Sequence, residues 1–199
     1  MDAPTGLVRL DRLAARWCIG LRYATANNFT GRPLYSRADA WLRVETATKL
    51  LCAQEILGAH GVRLMILDAY RPPSAQEAMW SALPDERFVA PPARGSRHTR
   101  GTAVDVTLVD GTGSDLEMPS AFDEFGERSR RDWTGASAVA RRNVDWLTQA
   151  MVDAGFSTIS TEWWHFDDAD WRRFPLLTWE FAVLPDEVEC SGGDRVRAV

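Results

Sequence analysis

Three histidines occur in this chain of 199 residues, and two of them stand among carboxylates. His98 lies in SRHTRGTAVD, seven positions before Asp105, and His165 lies in TEWWHFDD, three positions after Glu162. Catalytic zinc takes three protein ligands from His, Asp and Glu and keeps a fourth position for water. Two neutral imidazoles and one carboxylate leave the ion a net positive charge, which brings the pKa of bound water to about 7 in favourable sites. A carboxylate outside the ligand set can then accept the water proton and deliver it to a leaving amine. The expected ligands are therefore His98, Asp105 and His165, with one zinc per chain, and the expected general base is Glu162. Each residue alone has a plainer account: a lone His is more often structural than ligating, and Asp105 could be a buried cap. His60, in LGAHGVR at a helix end, is explained by the favourable place of a cation there and stays out of the site. The same ligand types also form the facial triad of non-heme iron oxygenases, where Glu162 would have no role in activating water.

Arg71 is a further candidate. Pro72 and Pro73 fix it at the mouth of a strand, where a guanidinium can meet the oxyanion formed when water attacks a carbonyl. An ion pair with one of the 28 acidic residues is the alternative, and position alone favours it.

These residues need elements to hold them. Residues 20–35 are rich in Asn, Thr and Gly and read as extended loop. Ser36 reads as the N-cap of a helix through about Leu57, with Trp41, Val44, Ala47, Leu50 and Leu51 at helical spacing and Gly58 and Gly61 at its end. Residues 63–70 read as a buried strand stopped by the prolines, and Ser74–Leu83 as a short helix capped by Ser74. Residues 102–109 form a second strand, with Ala103, Asp105 and Thr107 on one face. Gly101 and Thr102 break any continuous helix from His98 to Asp105, so His98 is expected on a loop that Gly101 folds back toward that strand. Residues 110–135 are a long polar loop, a kind that is often functional. A helix over Ser137–Ala154 follows, with Val139, Trp146, Leu147, Ala150 and Met151 as its apolar face. Phe156–Ser160 and Glu162–Phe166 read as the last strands. Residues three apart on a strand face opposite ways, so Glu162 and His165 share a site only if a bulge or kink separates them. The order indicates α+β with a small central sheet, one domain over 1–185 and a polar tail over 186–199.

Composition narrows the classes. The net charge is −5 and the isoelectric point about 5.3, without the basic patch that a nucleic-acid partner requires. Cys18, Cys52 and Cys190 are odd in number and widely spaced, which argues against a disulfide framework and a thiolate zinc site. No run approaches the ~20 apolar residues of a membrane span, and the first residues lack the pattern of a secretory signal. A cytoplasmic protein is expected, with oligomeric state left open.

The motif SxHxxGxAxD, here Ser96, His98, Gly101, Ala103 and Asp105, and the motif ExWH, here Glu162, Trp164 and His165, together resemble those of the zinc D,D-peptidases. The resemblance is closest to the D-alanyl-D-alanine dipeptidases of the VanX type, associated with vancomycin resistance. It extends through Arg22-Tyr23-Ala24-Thr25, Asn27–Gly31, Asp68–Pro72, Phe122-Asp123 and Glu127-Arg128-Ser129, from about Leu7 to Phe174. It implies a hedgehog-like α+β fold with a small central antiparallel sheet flanked by helices. It also implies hydrolysis of D-alanyl-D-alanine, zinc on His98, Asp105 and His165, and Glu162 as base and then acid. Arg71 would stabilise the tetrahedral intermediate, Asp123 would bind the dipeptide ammonium, and Tyr23 and Ser96 would touch substrate, Ser96 near the carboxylate. Arg97 stands in place of a small residue and Gly126 where an acidic one is common. Both border substrate-binding positions and bear on substrate preference. A D,D-carboxypeptidase or peptidoglycan endopeptidase would keep the chemistry but usually needs export or a wall-binding module. A non-catalytic zinc module would be expected to lose Glu162 first.

Overall fold

The computed structural model describes residues 6–13, 15 and 17–184. The expected tail over 186–199 and Cys190 lie outside them. Seven strands and three α-helices are described: β1 Leu7–Arg9, β2 Cys18–Ile19, β3 Trp41–Arg43, α1 Val44–Gly58, β4 Arg63–Asp68, α2 Pro73–Ala82, β5 Ala103–Val109, α3 Ala138–Asp153, β6 Phe156–Thr158 and β7 His165–Asp168. The strands form a two-stranded β1–β3 sheet and a five-stranded sheet ordered β2-β4-β5-β7-β6. The fold is α+β, as expected. The central sheet is antiparallel except at one edge, where the two-residue β2 runs parallel to β4. A parallel neighbour needs a long crossover, here supplied by the chain from Gly20 to Val62. So short an edge strand carries too little periodicity to be read from sequence.

Strand β5 is the axis of the molecule. All seven of its residues are buried, with β4 on one side and β7 on the other. Helix α1 presents Ala47, Leu50, Ala53 and Leu57 to the core, and α3 presents Val144, Leu147, Ala150 and Met151. Ser137 caps α3, its Oγ accepting from the Ala140 amide at 3.0 Å.

Several expected boundaries shift. The helix expected from Ser36 begins at Val44, because Trp41, Leu42 and Arg43 pair with Arg9, Val8 and Leu7 as a strand. Their helix-like spacing concealed a partner more than thirty positions earlier. Val44 is 49% exposed and Val139 43% exposed, so neither belongs to its helix's buried face. Ser74 does not cap α2. Pro72 holds the N-cap position, and the Ser74 hydroxyl donates to Glu180 instead. Residues 22–24 form a single 3-10 turn inside the expected loop. Strand β6 stops at Thr158, and the strand expected over Glu162–Phe166 becomes a turn followed by β7. Among the described residues no helix is long and apolar enough to cross a membrane.

The link into β5 behaves as its residues require. His98–Arg100 form a 3-10 turn ended by Gly101 at φ 73°. A Cβ at Gly101 would lie 3.0 Å from Leu7 Cδ2 and 3.4 Å from the Arg43 amide nitrogen. The left-handed conformation and the close approach both call for glycine. Gly101→Ala is expected to lower stability by about 1–2 kcal/mol, read as a lower urea midpoint with an unchanged slope.

Candidate metal centre and active site

One row across the central sheet builds the site. Asp105 on β5 is in register with His165 on β7 and with Asp68 on β4. Directly opposed side chains in a sheet lie on one face, about 4.5–5.5 Å apart at Cβ. The pairing of β4 with β5 slips between Ile66 and Asp68. Ile66 faces Val106 and the next pair is Asp68 with Asp105, so Leu67 is the extra residue of a bulge. Without that bulge Leu67 would oppose Asp105.

His98 reaches the same row from the 3-10 turn. Its Nε2 lies 3.2 Å from His165 Nδ1 and 3.4 Å from Asp105 Oδ1, and His165 Nδ1 lies 2.9 Å from Asp105 Oδ1. Both imidazoles are oriented from behind. His98 Nδ1 contacts the Ala69 carbonyl oxygen at 2.8 Å. A carbonyl only accepts, so Nδ1 carries the hydrogen and Nε2 has a free lone pair. His165 Nε2 faces Asp167 Oδ1 at 3.0 Å, which leaves Nδ1 toward the centre. Burial opposes charge on His165, but Asp167 and Asp105 outweigh it and push its pKa to about 10. Burial would raise the Asp105 carboxyl; the two imidazoles hold it well below the usual range.

Zinc fits these donors. Tetrahedral ligands at the ~2.0–2.1 Å typical of Zn–N and Zn–O bonds stand about 3.3 Å apart, close to the three observed spacings. The donor set of two imidazoles and one carboxylate suits the same ion, and both imidazoles have the outer partners that zinc-binding histidines use.

Around the donors lies a cavity of about 590 Å³, lined by all eight residues singled out in the sequence: Tyr23, Arg71, Ser96, His98, Asp105, Asp123, Glu162 and His165. Glu162 precedes the Trp163-Trp164 turn, and that turn, rather than a bulge, lets it face the cavity along with His165. Its carboxylate accepts no hydrogen bond among the described residues, and burial raises its pKa to about 8. Arg71 does form the ion pair that its position suggests, donating through Nε and Nη2 to Asp68 at 3.0 and 2.8 Å and through Nη1 to Gln76 at 3.0 Å. A guanidinium has five donors, so two remain for the cavity. Asp123 is the positive-φ residue other than glycine among those described, at φ 61°. Its carboxylate accepts from the Tyr23 hydroxyl at 3.0 Å and the Phe29 amide at 3.1 Å. Burial outweighs these bonds and raises its pKa to about 7. Ser96 Oγ accepts from the His98 amide at 3.1 Å, and its own hydrogen is left to donate.

Three supporting residues escaped the sequence reading. Asp68 clamps Arg71 and also accepts from the Tyr35 hydroxyl at 2.5 Å. Asp167 orients His165 and binds Arg97 at 2.8 Å. Arg131, from the long loop, donates to the His165 carbonyl at 2.6 Å, the Ile159 carbonyl at 2.9 Å and Thr148 Oγ1 at 3.0 Å. Asp167 had a readable signal, since it lies two positions from His165 and so on the same face of a strand. Arg131 had none, because its three acceptors are far from it in sequence. His60 is remote from this cluster and stacks on Trp146 at 4.6 Å.

Two imidazoles and a carboxylate aimed at one point, with a spare carboxylate in the same cavity, are the parts that a zinc metallopeptidase requires. The chain belongs to the D-ala-D-ala dipeptidase family, whose model matches residues 3–183. It is 40% identical over 184 residues to the D-alanyl-D-alanine dipeptidase of Escherichia coli (strain K12), covering 92% of this chain and 95% of that one. It is 33% identical to the enzyme of that name from Enterococcus faecium, over 89% of this chain and 98% of that one. To the one from Streptomyces coelicolor it is 32% identical, over 76% and 84%.

Asp167→Asn is expected to weaken zinc binding by about 10–100-fold through loss of the outer partner of His165. Competition with a chromophoric chelator measures this, while circular dichroism should show an unchanged fold.

Proposed function

We propose that this chain hydrolyses D-alanyl-D-alanine to two molecules of D-alanine, with zinc held by His98, Asp105 and His165. The reading carries with it a cytoplasmic site of action on free dipeptide. The observation that supports it most is the convergence of that donor triangle, the unpartnered Glu162 carboxylate and the Asp123 anchor on one cavity. When bound, zinc supplies Lewis acidity for the scissile carbonyl and for water.

The chain's own residues do the rest. Asp123 meets the substrate ammonium, with its carboxylate held by Tyr23 and the Phe29 amide. Ser96 donates to the carboxylate at the other end. The two anchors fix the length and handedness of what fits, and a scissile carbonyl misplaced by about 1 Å can cost ~100-fold in rate. Glu162 takes a proton from water at a carboxylate oxygen and releases it to the leaving amine. Burial raises the Glu162 pKa, which strengthens its carboxylate as a base toward water and brings its proton release toward neutrality. Arg71, immobilised by Asp68 and Gln76, turns its two remaining donors to the oxyanion without having to reorganise.

The first test is amine release from D-Ala-D-Ala by the zinc-loaded protein, with L-Ala-L-Ala and a chelator as controls. Chelator-sensitive cleavage of the D,D dipeptide alone is expected; cleavage confined to longer wall peptides would overturn the reading. Glu162→Gln should keep stoichiometric zinc and lower kcat by about 10²–10⁴-fold. Near-normal turnover in that variant would remove Glu162 from the mechanism. Asp123 gives a pH signature. Protonated below about pH 7, it cannot pair with an ammonium, so KM should rise roughly tenfold per unit as pH falls below that point and level off above it. Asp123→Asn should raise KM throughout and flatten the profile.

A further inference from the structure

The cavity continues beyond the residues just placed, and its exposed rim is basic in a chain of net charge −5. Three guanidinium groups gather on one ring. Arg172, Arg97 and Arg100 lie 4.5, 4.7 and 5.4 Å from the Trp171 centroid, and all four residues line the cavity. Among the described residues only Arg97 is neutralised, by Asp167 at 2.8 Å. Arg100 spends one donor on the Phe174 carbonyl at 2.6 Å, an uncharged partner. Arg172 is exposed and has no hydrogen bond or ion pair among the described residues. The carboxylate of the rim, Glu86, pairs with Arg94 at 3.1 Å. Stacking on an indole holds guanidinium planes in place and lowers the entropy lost when they bind.

The cluster has a definite place relative to substrate. Arg97 directly follows Ser96, the donor assigned above to the carboxylate of the leaving residue. That carboxylate is one negative charge; Arg100 and Arg172 are two cations without a carboxylate partner among the described residues. The alanine methyl group offers them nothing, and a cavity of about 590 Å³ is far larger than two alanines fill.

We propose that Arg97, Arg100 and Arg172, gathered on Trp171, form a subsite for a second carboxylate on the leaving residue. The enzyme then also hydrolyses D-alanyl dipeptides that end in an acidic D-amino acid, with D-glutamate the best fit for reach. This inference rests on the dipeptidase reading. The reaction is the same hydrolysis: water oxygen joins the alanyl carbonyl carbon, the C–N bond breaks, the leaving nitrogen takes the proton, and no other reactant is needed.

The test compares kcat/KM of the zinc-loaded protein on D-Ala-D-Ala, D-Ala-D-Glu and D-Ala-D-Gln. The last two match in shape and differ by one charge. D-Ala-D-Glu is expected to exceed D-Ala-D-Gln by about tenfold at low ionic strength, and the preference should shrink at high salt. Arg172→Glu, at an exposed position with no hydrogen bond to lose, should bring the ratio to one or below. Calorimetric titration with D-glutamate and with D-glutamine reads the same preference without turnover. A ratio at or below one in the unaltered protein, or an unchanged ratio in Arg172→Glu, overturns the subsite. If D-Ala-D-Ala is not cleaved but D-glutamate binds selectively through Arg172, the dipeptidase reading fails and the subsite stands.

Discussion

The structure depends on one row of side chains, Asp68, Asp105 and His165, set next to each other at a buried end of the sheet. Two carboxylates in adjacent register repel, and neither is hydrated enough to be charged at low cost. The row is tolerable only because charged and hydrogen-bonding partners converge on it. Arg71 covers Asp68, while His98 and His165 cover Asp105, whose second oxygen also lies 3.9 Å from Arg71. Removing one partner from such a set typically costs 3–5 kcal/mol, because the other charge stays buried. The same balance that holds the fold together therefore gives the site its attraction for a divalent ion.

Three local irregularities make the row possible. The bulge at Leu67 moves Asp68 opposite Asp105. The left-handed Gly101 turns His98 back over β5. The Trp163-Trp164 turn swings Glu162 to the side that His165 faces. Each departs from regular geometry where the chemistry needs it, as functional sites commonly do. Asp123, left-handed without being glycine, is the fourth case and holds the other end of the cavity.

These irregularities also mark how far the sequence could be read. Four of the eight candidates, His98, Asp105, Glu162 and His165, were legible because their chemistry is local: His and Asp spaced around a glycine turn, and Glu and His around a Trp pair. Arg71 was marked by its two prolines but acquired its role, as Tyr23, Ser96 and Asp123 did, only from the family resemblance. Strand β5 and helix α3 were legible because an alternating run and an apolar helical face are local signals as well. Strands β1 and β3 were not, since Trp41–Arg43 takes its extended form only from a partner across the fold. The Leu67 bulge left no mark in the sequence, because a bulge is a property of register between two strands. Asp68 stood inside a quoted motif without a role, since its task is to hold Arg71 and its partner Tyr35 comes from another segment.

The loop over 110–135 is long but anchored. Ser129 is fully buried and bonds the Thr161 carbonyl at 2.7 Å, and Arg131 bridges α3, the end of β6 and the start of β7. The segment that carries Asp123 is thus fastened to the one that carries Glu162 and His165. On the dipeptidase reading, the span from the ammonium anchor to the base is therefore a ruler cut by the fold before any substrate arrives.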